Sequence, residues 1–193
     1  MIRNKVRVAG LLIITALVLG GFNSFAVAAD DKQQKRYEIR IMAQQTLSRL
    51  YKIQPGAKPA IDKAKGYAVF SNFGMKILLA GGGSGSGVAV NNDTKKETFM
   101  KMAEVQAGLG LGVKKFRTVF VFETEQALNN FINQGWEFGG QATAAAKAGE
   151  TGSAFAGAAS VAPGVWMYQL TDTGLAAEIT AKGTKYYKDS KLN

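Results

Sequence analysis

The sequence predicts an α+β domain. An N-terminal amphipathic helix and a short second helix lead into a curved, mostly antiparallel β-sheet or barrel-like sandwich, with one further helix near 124–134. Three observations carry this. Between Ile39 and Ile53 apolar residues recur at spacings of three and four, the period of a one-faced helix. From Gly66 onward short apolar segments dominate. Their connections are too short for repeated helical crossovers, which argues for antiparallel pairing. Finally, the chain has 23 glycines against 3 prolines, with no Gly-X-Y period, as expected of strands that bend or pack closely.

Residues 1–28 read as a signal peptide, and residues 29–193 as the folded domain. Arg3, Lys5 and Arg7 form a positive start, an apolar run extends from Val8 to Leu19, and Ala26-Val27-Ala28 is a small-x-small site. That order is the secretory pattern, with cleavage expected before Ala29. The apolar run is short for a membrane span of about 20 residues. Export to the periplasm or cell envelope is the expected fate. The whole chain carries +10. Removing the leader leaves 21 basic and 14 acidic residues, or +7.

Most of that excess lies early. Residues 30–65 hold nine basic and four acidic residues, whereas residues 66–193 add only +2. Asp31 is suited to N-cap the first helix, with Gln34 completing a capping box. Ile39, Met42, Ala43, Thr46, Leu47, Leu50 and Ile53 form the apolar stripe, and Pro55-Gly56 ends it. The second helix has Pro59 near its first turn and Gly66 as its expected stop. Two roles fit the first helix. It can lie on an anionic membrane surface, or its stripe can pack on the domain while its charges face solvent. Periodicity alone favours packing.

In the body, Tyr67–Phe70 and Met75–Leu79 are apolar runs, followed by the glycine cluster Gly81–Gly87 and Val88–Val90. Asn91-Asn92-Asp93 signals a turn. Thr98–Val105 is strand-like, Gly108–Gly112 alternates with period two, and Arg117–Phe122 has the character of a central strand. Thr124 can cap the third helix, whose buried face is Ala127, Leu128, Phe131 and Ile132, with Gly135 as its stop. Strand character resumes at 136–144, 153–160, 165–170 and 175–181, and Lys185–Lys188 is basic and aromatic.

Catalysis finds little support. The chain has no His and no Cys, which excludes thiolate nucleophiles, zinc fingers and His-based triads. No metal, cofactor or catalytic residue is expected. The glycine cluster is not a phosphate loop, because Val88-Ala89-Val90 follows it where a P-loop needs Lys-Ser/Thr and a helix. The acids are scattered, with no motif to fix a pair.

The order of these segments resembles the SYLF domain, also called the Ysc-type actin-binding or lipid-binding domain. The resemblance rests on Ala64–Phe70, on Gly81–Gly87 followed by Val88–Val90, on Gln106–Gly112, and on Val119–Phe122 before a short helix. It covers essentially all of the chain after the leader. It implies binding rather than enzymatic activity. Eukaryotic members bind phosphoinositide membranes, partly through an amphipathic basic N-terminal helix, and some bind actin. The corresponding lipid-binding positions here are Lys32, Lys35, Arg36 and Arg40, with Lys58, Lys63 and Lys65 nearby. The resemblance tips the first helix toward membrane contact. An exported protein does not meet cytosolic actin or phosphoinositides, so an anionic phospholipid or membrane surface is the expected partner and actin is not. An envelope protein is the alternative partner, with the chain acting as an interaction or structural module without a lipid ligand. Nucleic acid is not expected, since the basic excess is modest and the compartment is wrong.

Overall fold

The computed structural model describes residues 12–77, 80–107, 112–138, 155–175 and 183–193. The expected basic start of the leader, residues 78–79 of the second apolar run, residues 108–111 of the glycine–leucine alternation, and residues 139–144, 153–154 and 176–181 of three strand-like stretches lie outside that set. The chain divides into two compact units, Met1–Glu38 and Ile39–Asn193.

Helix α1 runs Leu12–Ile53. Asp31 is therefore interior to the helix, and the expected start there does not occur. In the intact chain a helical turn precedes Asp31, so the N–H groups at 31–34 already have carbonyl partners and need no cap. The helix ends before Pro55, whose ring disfavours helical geometry at the preceding residue. Helix α2 spans Ala57–Lys63 and closes at Ala64, which is extended. Gly66 is the first residue of a strand rather than a helix stop. A Cβ there would lie 2.5 Å from the Val90 carbonyl oxygen, so backbone crowding, not helix termination, requires glycine at that point.

Four long strands follow: β1 Gly66–Ile77, β2 Ala80–Asn91, β3 Glu97–Ala107 and β4 Gly112–Phe122. Tyr67–Phe70 and the described part of the next apolar run, Met75–Ile77, belong to one continuous strand, and the glycine cluster is strand throughout. Pairing decides this. β2 is bonded to β1 on one side and to β3 on the other, register by register through Gly81–Gly87. The turn between β2 and β3 forms as the sequence indicates. Asn91 Oδ1 accepts from the backbone N–H groups of Asp93 and Thr94.

Helix α3, Glu125–Asn133, also matches expectation. Thr124 Oγ1 accepts from the Ala127 N–H at 3.2 Å, Leu128 and Phe131 are buried, and Gly135 takes φ +72°. The remaining strands are β5 Trp136–Phe138, β6 Ala159–Ala162, β7 Val165–Thr171, β8 Gly174–Leu175 and β9 Thr184–Lys188. All pairs are antiparallel, in one sheet ordered β5-β9-β3-β2-β1-β4-β7-β6, with β8 on β7.

The sheet is curled, and ring distances give the measure of it. Between β9 and β4 stand three strands, which in a flat sheet would hold them about 19 Å apart. Yet the Tyr186 and Phe120 ring centroids are 5.0 Å apart. The concave side closes on an aromatic cluster of Phe70, Phe120, Phe122 and Tyr186, joined by Leu128 and Phe131 of α3. The opposite face carries Val69, Val88, Val119, Val121, Tyr168 and Leu170, covered by Ile39, Ala43 and Leu50 of α1 and Ile61 of α2. β4 thus feeds both cores, Val119 and Val121 on one side and Phe120 and Phe122 on the other, as its doubly apolar sequence requires.

Candidate functional site

The C-terminal part of α1 uses its apolar stripe to pack. Ile39, Ala43, Thr46 and Leu50 are buried, and Met42 and Leu47 lean on the same core. Those residues are not available for insertion into a bilayer. Ile53, the last residue of the expected stripe, is exposed instead, 39% of its surface facing solvent.

The seven sequence-predicted binding residues fall into distinct settings. Lys32 and Lys35 are exposed and Arg36 is half-buried, all in the Met1–Glu38 unit. The other four lie in the second unit. Arg40 is held by Glu97, Nε to Oε2 at 2.8 Å and Nη2 to Oε2 at 2.7 Å. Its guanidinium carbon also sits 5.3 Å from the Phe99 ring centroid, a cation–π distance. Arg40 therefore ties α1 to β3. Lys58 pairs with Asp62 at 2.6 Å and Lys65 with Asp93 at 3.1 Å. Both pairs are exposed, a setting in which an ion pair contributes about 0–1 kcal/mol. Lys63 is exposed with no acidic partner among the described residues.

A group of cations outside that set converges on one cleft. It measures about 370 Å³ and lies between α1 and the sheet, lined by Arg49, Ser71, Lys115, Arg117, Leu170 and Asp172 among others. Arg49 reaches it from α1. Arg117 and Lys115 reach it from β4, two residues apart and so on the same face. Arg117 stands opposite Ser71 on β1 and Leu170 on β7. Among the described residues the two guanidinium groups have neutral partners. Arg49 donates to the backbone carbonyls of Thr171 and Asp172. Arg117 donates to Thr46 Oγ1 at 3.2 Å, while that hydroxyl donates to the Met42 carbonyl at 2.7 Å. A second groove of about 520 Å³ along α1 shares Arg49 and adds Gln44, Ser48 and Lys52.

The sequence holds a signal for this cleft. Lys115 and Arg117 are charges at period two, on the helix-facing side of a strand whose next same-face residues are Val119 and Val121. Arg49 stands out only in three dimensions, since on the helix it is one basic residue among many.

Inside the curl lies a smaller polar patch. Asn72, Thr118, Thr184 and Tyr186 are each at most 3% exposed. Asn72, Gly85, Met102 and Tyr186 share one row across β1, β2, β3 and β9. Burial raises the pKa of the Tyr186 hydroxyl, and the Glu104 charge adds to that. Asn72 and Thr118 lie close enough to the hydroxyl to offset part of the rise. Neither amide atom of Asn72 nor Thr118 Oγ1 reaches good hydrogen-bond geometry. On the helix side, burial pushes the Tyr51 hydroxyl up to about 12, aided by the charges of Asp62 and Tyr67.

Among the described residues no group of His, Cys, Asp and Glu could hold a metal ion. No helix among them is long and apolar enough to cross a membrane.

Comparison with known proteins gives two findings. Residues 103–193 match the Ysc84 family, described as Las17-binding protein actin regulators. The chain is also 35% identical over 162 residues to beta cell expansion factor A of Aeromonas veronii. That alignment covers 83% of this chain and 59% of the relative, so the chain spans about three fifths of the length of the curated protein it matches.

Proposed function

Given that this chain belongs to the Ysc84 (SYLF) family, whose members are associated with lipid and actin binding, we propose that it is a non-enzymatic envelope protein that binds anionic phospholipid. The observation that carries the reading is the set of cations without an acidic counterpart. Lys32, Lys35, Lys52 and Lys63 are exposed with no carboxylate partner among the described residues, and Arg49 and Arg117 meet only neutral oxygens. Each basic residue near an anionic surface contributes on the order of 1 kcal/mol, falling off over a Debye length. Several together give reversible, salt-sensitive attachment. Insertion of the α1 stripe adds nothing from Ile39 to Leu50, because those residues are already in the core. The attachment is electrostatic.

Export through the N-terminal leader places the protein opposite envelope phospholipid. Intact-mass measurement of the purified protein tests that step, with loss of residues 1–28 as the expected result. Flotation of the processed protein with vesicles tests the binding. Capture by phosphatidylcholine vesicles containing phosphatidylglycerol, and not by phosphatidylcholine alone, is expected, with release on raising the salt. Equal binding to both vesicles, or to neither, sinks the reading. If the fourfold variant Lys32→Glu, Lys35→Glu, Arg36→Glu, Arg40→Glu still floats unchanged, the predicted helix face is not the contact.

A further inference from the structure

We propose that the cleft between α1 and β4 is a dedicated site for a phosphate-type oxyanion, gripped by Arg49 and Arg117 with Lys115 at its rim. The inference deepens the phospholipid reading by naming where one headgroup would seat, and it rests on that reading for its lipid source.

Four features point to a site rather than to a charged surface. The first is convergence: three cations from two elements meet over one volume of about 370 Å³, within the range of small-ligand sites. Asp172 is the one acid among the residues that line it. The second is unspent bonding capacity. A guanidinium has five N–H donors. Arg49 uses one nitrogen, Nη2, on the two carbonyls, and Arg117 uses Nη1 on Thr46. Among the described residues neither guanidinium forms an ion pair with a carboxylate. Planar guanidinium donors match the oxygen spacing of a phosphate in paired fashion.

The third feature is that both arginines are fixed before any ligand arrives. Arg49 is clamped to the β7–β8 turn through Thr171 and Asp172, and Arg117 to a threonine that is fully buried in the helix contact. Little side-chain freedom is left to lose on binding. The fourth is the wall. Ser71, opposite Arg117 in the β1–β4 register, brings a hydroxyl to the same face, and Leu170 supplies an apolar side. The contrast of Arg49 and Arg117 with Arg40, Lys58 and Lys65 is direct: those three cations already have carboxylates.

The test has two arms. In the first, the arginine Nε–Hε signals of the processed wild-type protein are followed by NMR during titration with inorganic phosphate and with glycerol phosphate. Saturable shifts of the Arg49 and Arg117 signals are expected from a soluble source. In the second, vesicle affinity is compared between wild type and Arg49→Gln/Arg117→Gln, after thermal melting confirms that the variant is folded. Removing two cations at roughly fivefold each lowers affinity for phosphatidylglycerol vesicles about twenty-fivefold. If the double variant does not fold, Lys115→Gln replaces it, with about a fivefold loss expected. Shifts with soluble phosphate alone assign the cleft to a free phosphate ester. A loss on vesicles without such shifts, and larger than that of the exposed pair Lys52→Gln/Lys63→Gln, assigns it to a membrane headgroup; an equal loss overturns the dedicated site. Unmoved arginine signals together with unchanged vesicle affinity of the variant overturn the proposal while leaving electrostatic phospholipid binding intact. If wild type binds no vesicles yet its arginine signals saturate with phosphate, the phospholipid reading fails and the cleft stands.

Discussion

The two faces of one sheet have been built for different tasks. Under α1 and α2 the face is mostly aliphatic: Val69, Val88, Val119, Val121 and Leu170. These short side chains make an even surface on which a helix can lie. The concave face is aromatic. Phe70 meets Tyr186 at 4.7 Å and Phe120 at 6.1 Å, both edge-on. Phe120 in turn meets Trp136 at 5.5 Å. Curling brings distant strands together, and large rings that interlock edge to face fill much of the space, with Met100, Met102 and Met167 beside them. The difference teaches where function can sit. The concave side is closed on itself. The helix side is covered only as far as α1 packs, and where that cover stops the cations of Arg49, Lys115 and Arg117 are left around open space.

The sharpest way to break this comparison is to empty each core in turn. Phe120→Ala is expected to cost about 3–5 kcal/mol, because a closed ring cluster cannot collapse into the gap. Leu50→Ala is expected nearer the low end for its class, about 2–3 kcal/mol, because a helix lying on a sheet can settle. Urea unfolding of both variants measures this, and an equal or larger loss for Leu50→Ala would reverse the contrast.

A smaller effect probes the contact between strands on the concave side. A Cβ on Gly87 would stand 2.2 Å from the Val69 carbonyl oxygen and 2.4 Å from the Phe70 ring. Gly87→Ala is therefore expected to lose about 1–3 kcal/mol by overpacking. A melting temperature equal to wild type would mean that the Phe70 ring is not pinned across β2.

The mildest probe is alkaline titration. Tyr51 on the helix side is raised from the ordinary 10.0 to about 12, and Tyr186 inside the curl is raised as well, by burial first. A raised folded-state pKa favours the neutral phenol. Its contribution is complete below about pH 10, where unfolded tyrosine begins to ionise, and is lost as pH rises toward the folded value. Stability should fall above about pH 10. Tyrosinate absorbance should show Tyr51 ionising in the folded protein near pH 12, and Tyr186 only as the protein unfolds. A single step near pH 10 for all tyrosines in the folded protein would show that neither face shields them.

Signals along the chain are legible where the physics is local. Thr124 and Gly135 bound α3 because a cap hydroxyl and a positive φ act within a few residues. The doubly apolar stretch Val119–Phe122 announces a strand buried on both faces. Asp31 misleads about the start of α1, because a capping residue acts only where a helix must begin, and the preceding segment is helical. β1 reads as two runs along the chain because Ser71 to Gly74 looks like a break until two neighbouring strands pair with it.

By itself, then, the sequence determined the fold class, the third helix and its caps, the absence of His and Cys chemistry, the early concentration of positive charge and the family. The tertiary structure alone decided which positive charges are already matched. Arg40 and Glu97 are 57 residues apart in sequence, and Arg49 comes from a helix while Arg117 comes from a strand. Whether a cation meets a carboxylate or a backbone carbonyl depends on distances of a few ångströms across elements. Those distances are set by sheet register and by how α1 lies on the aliphatic face, not by any pattern along the chain.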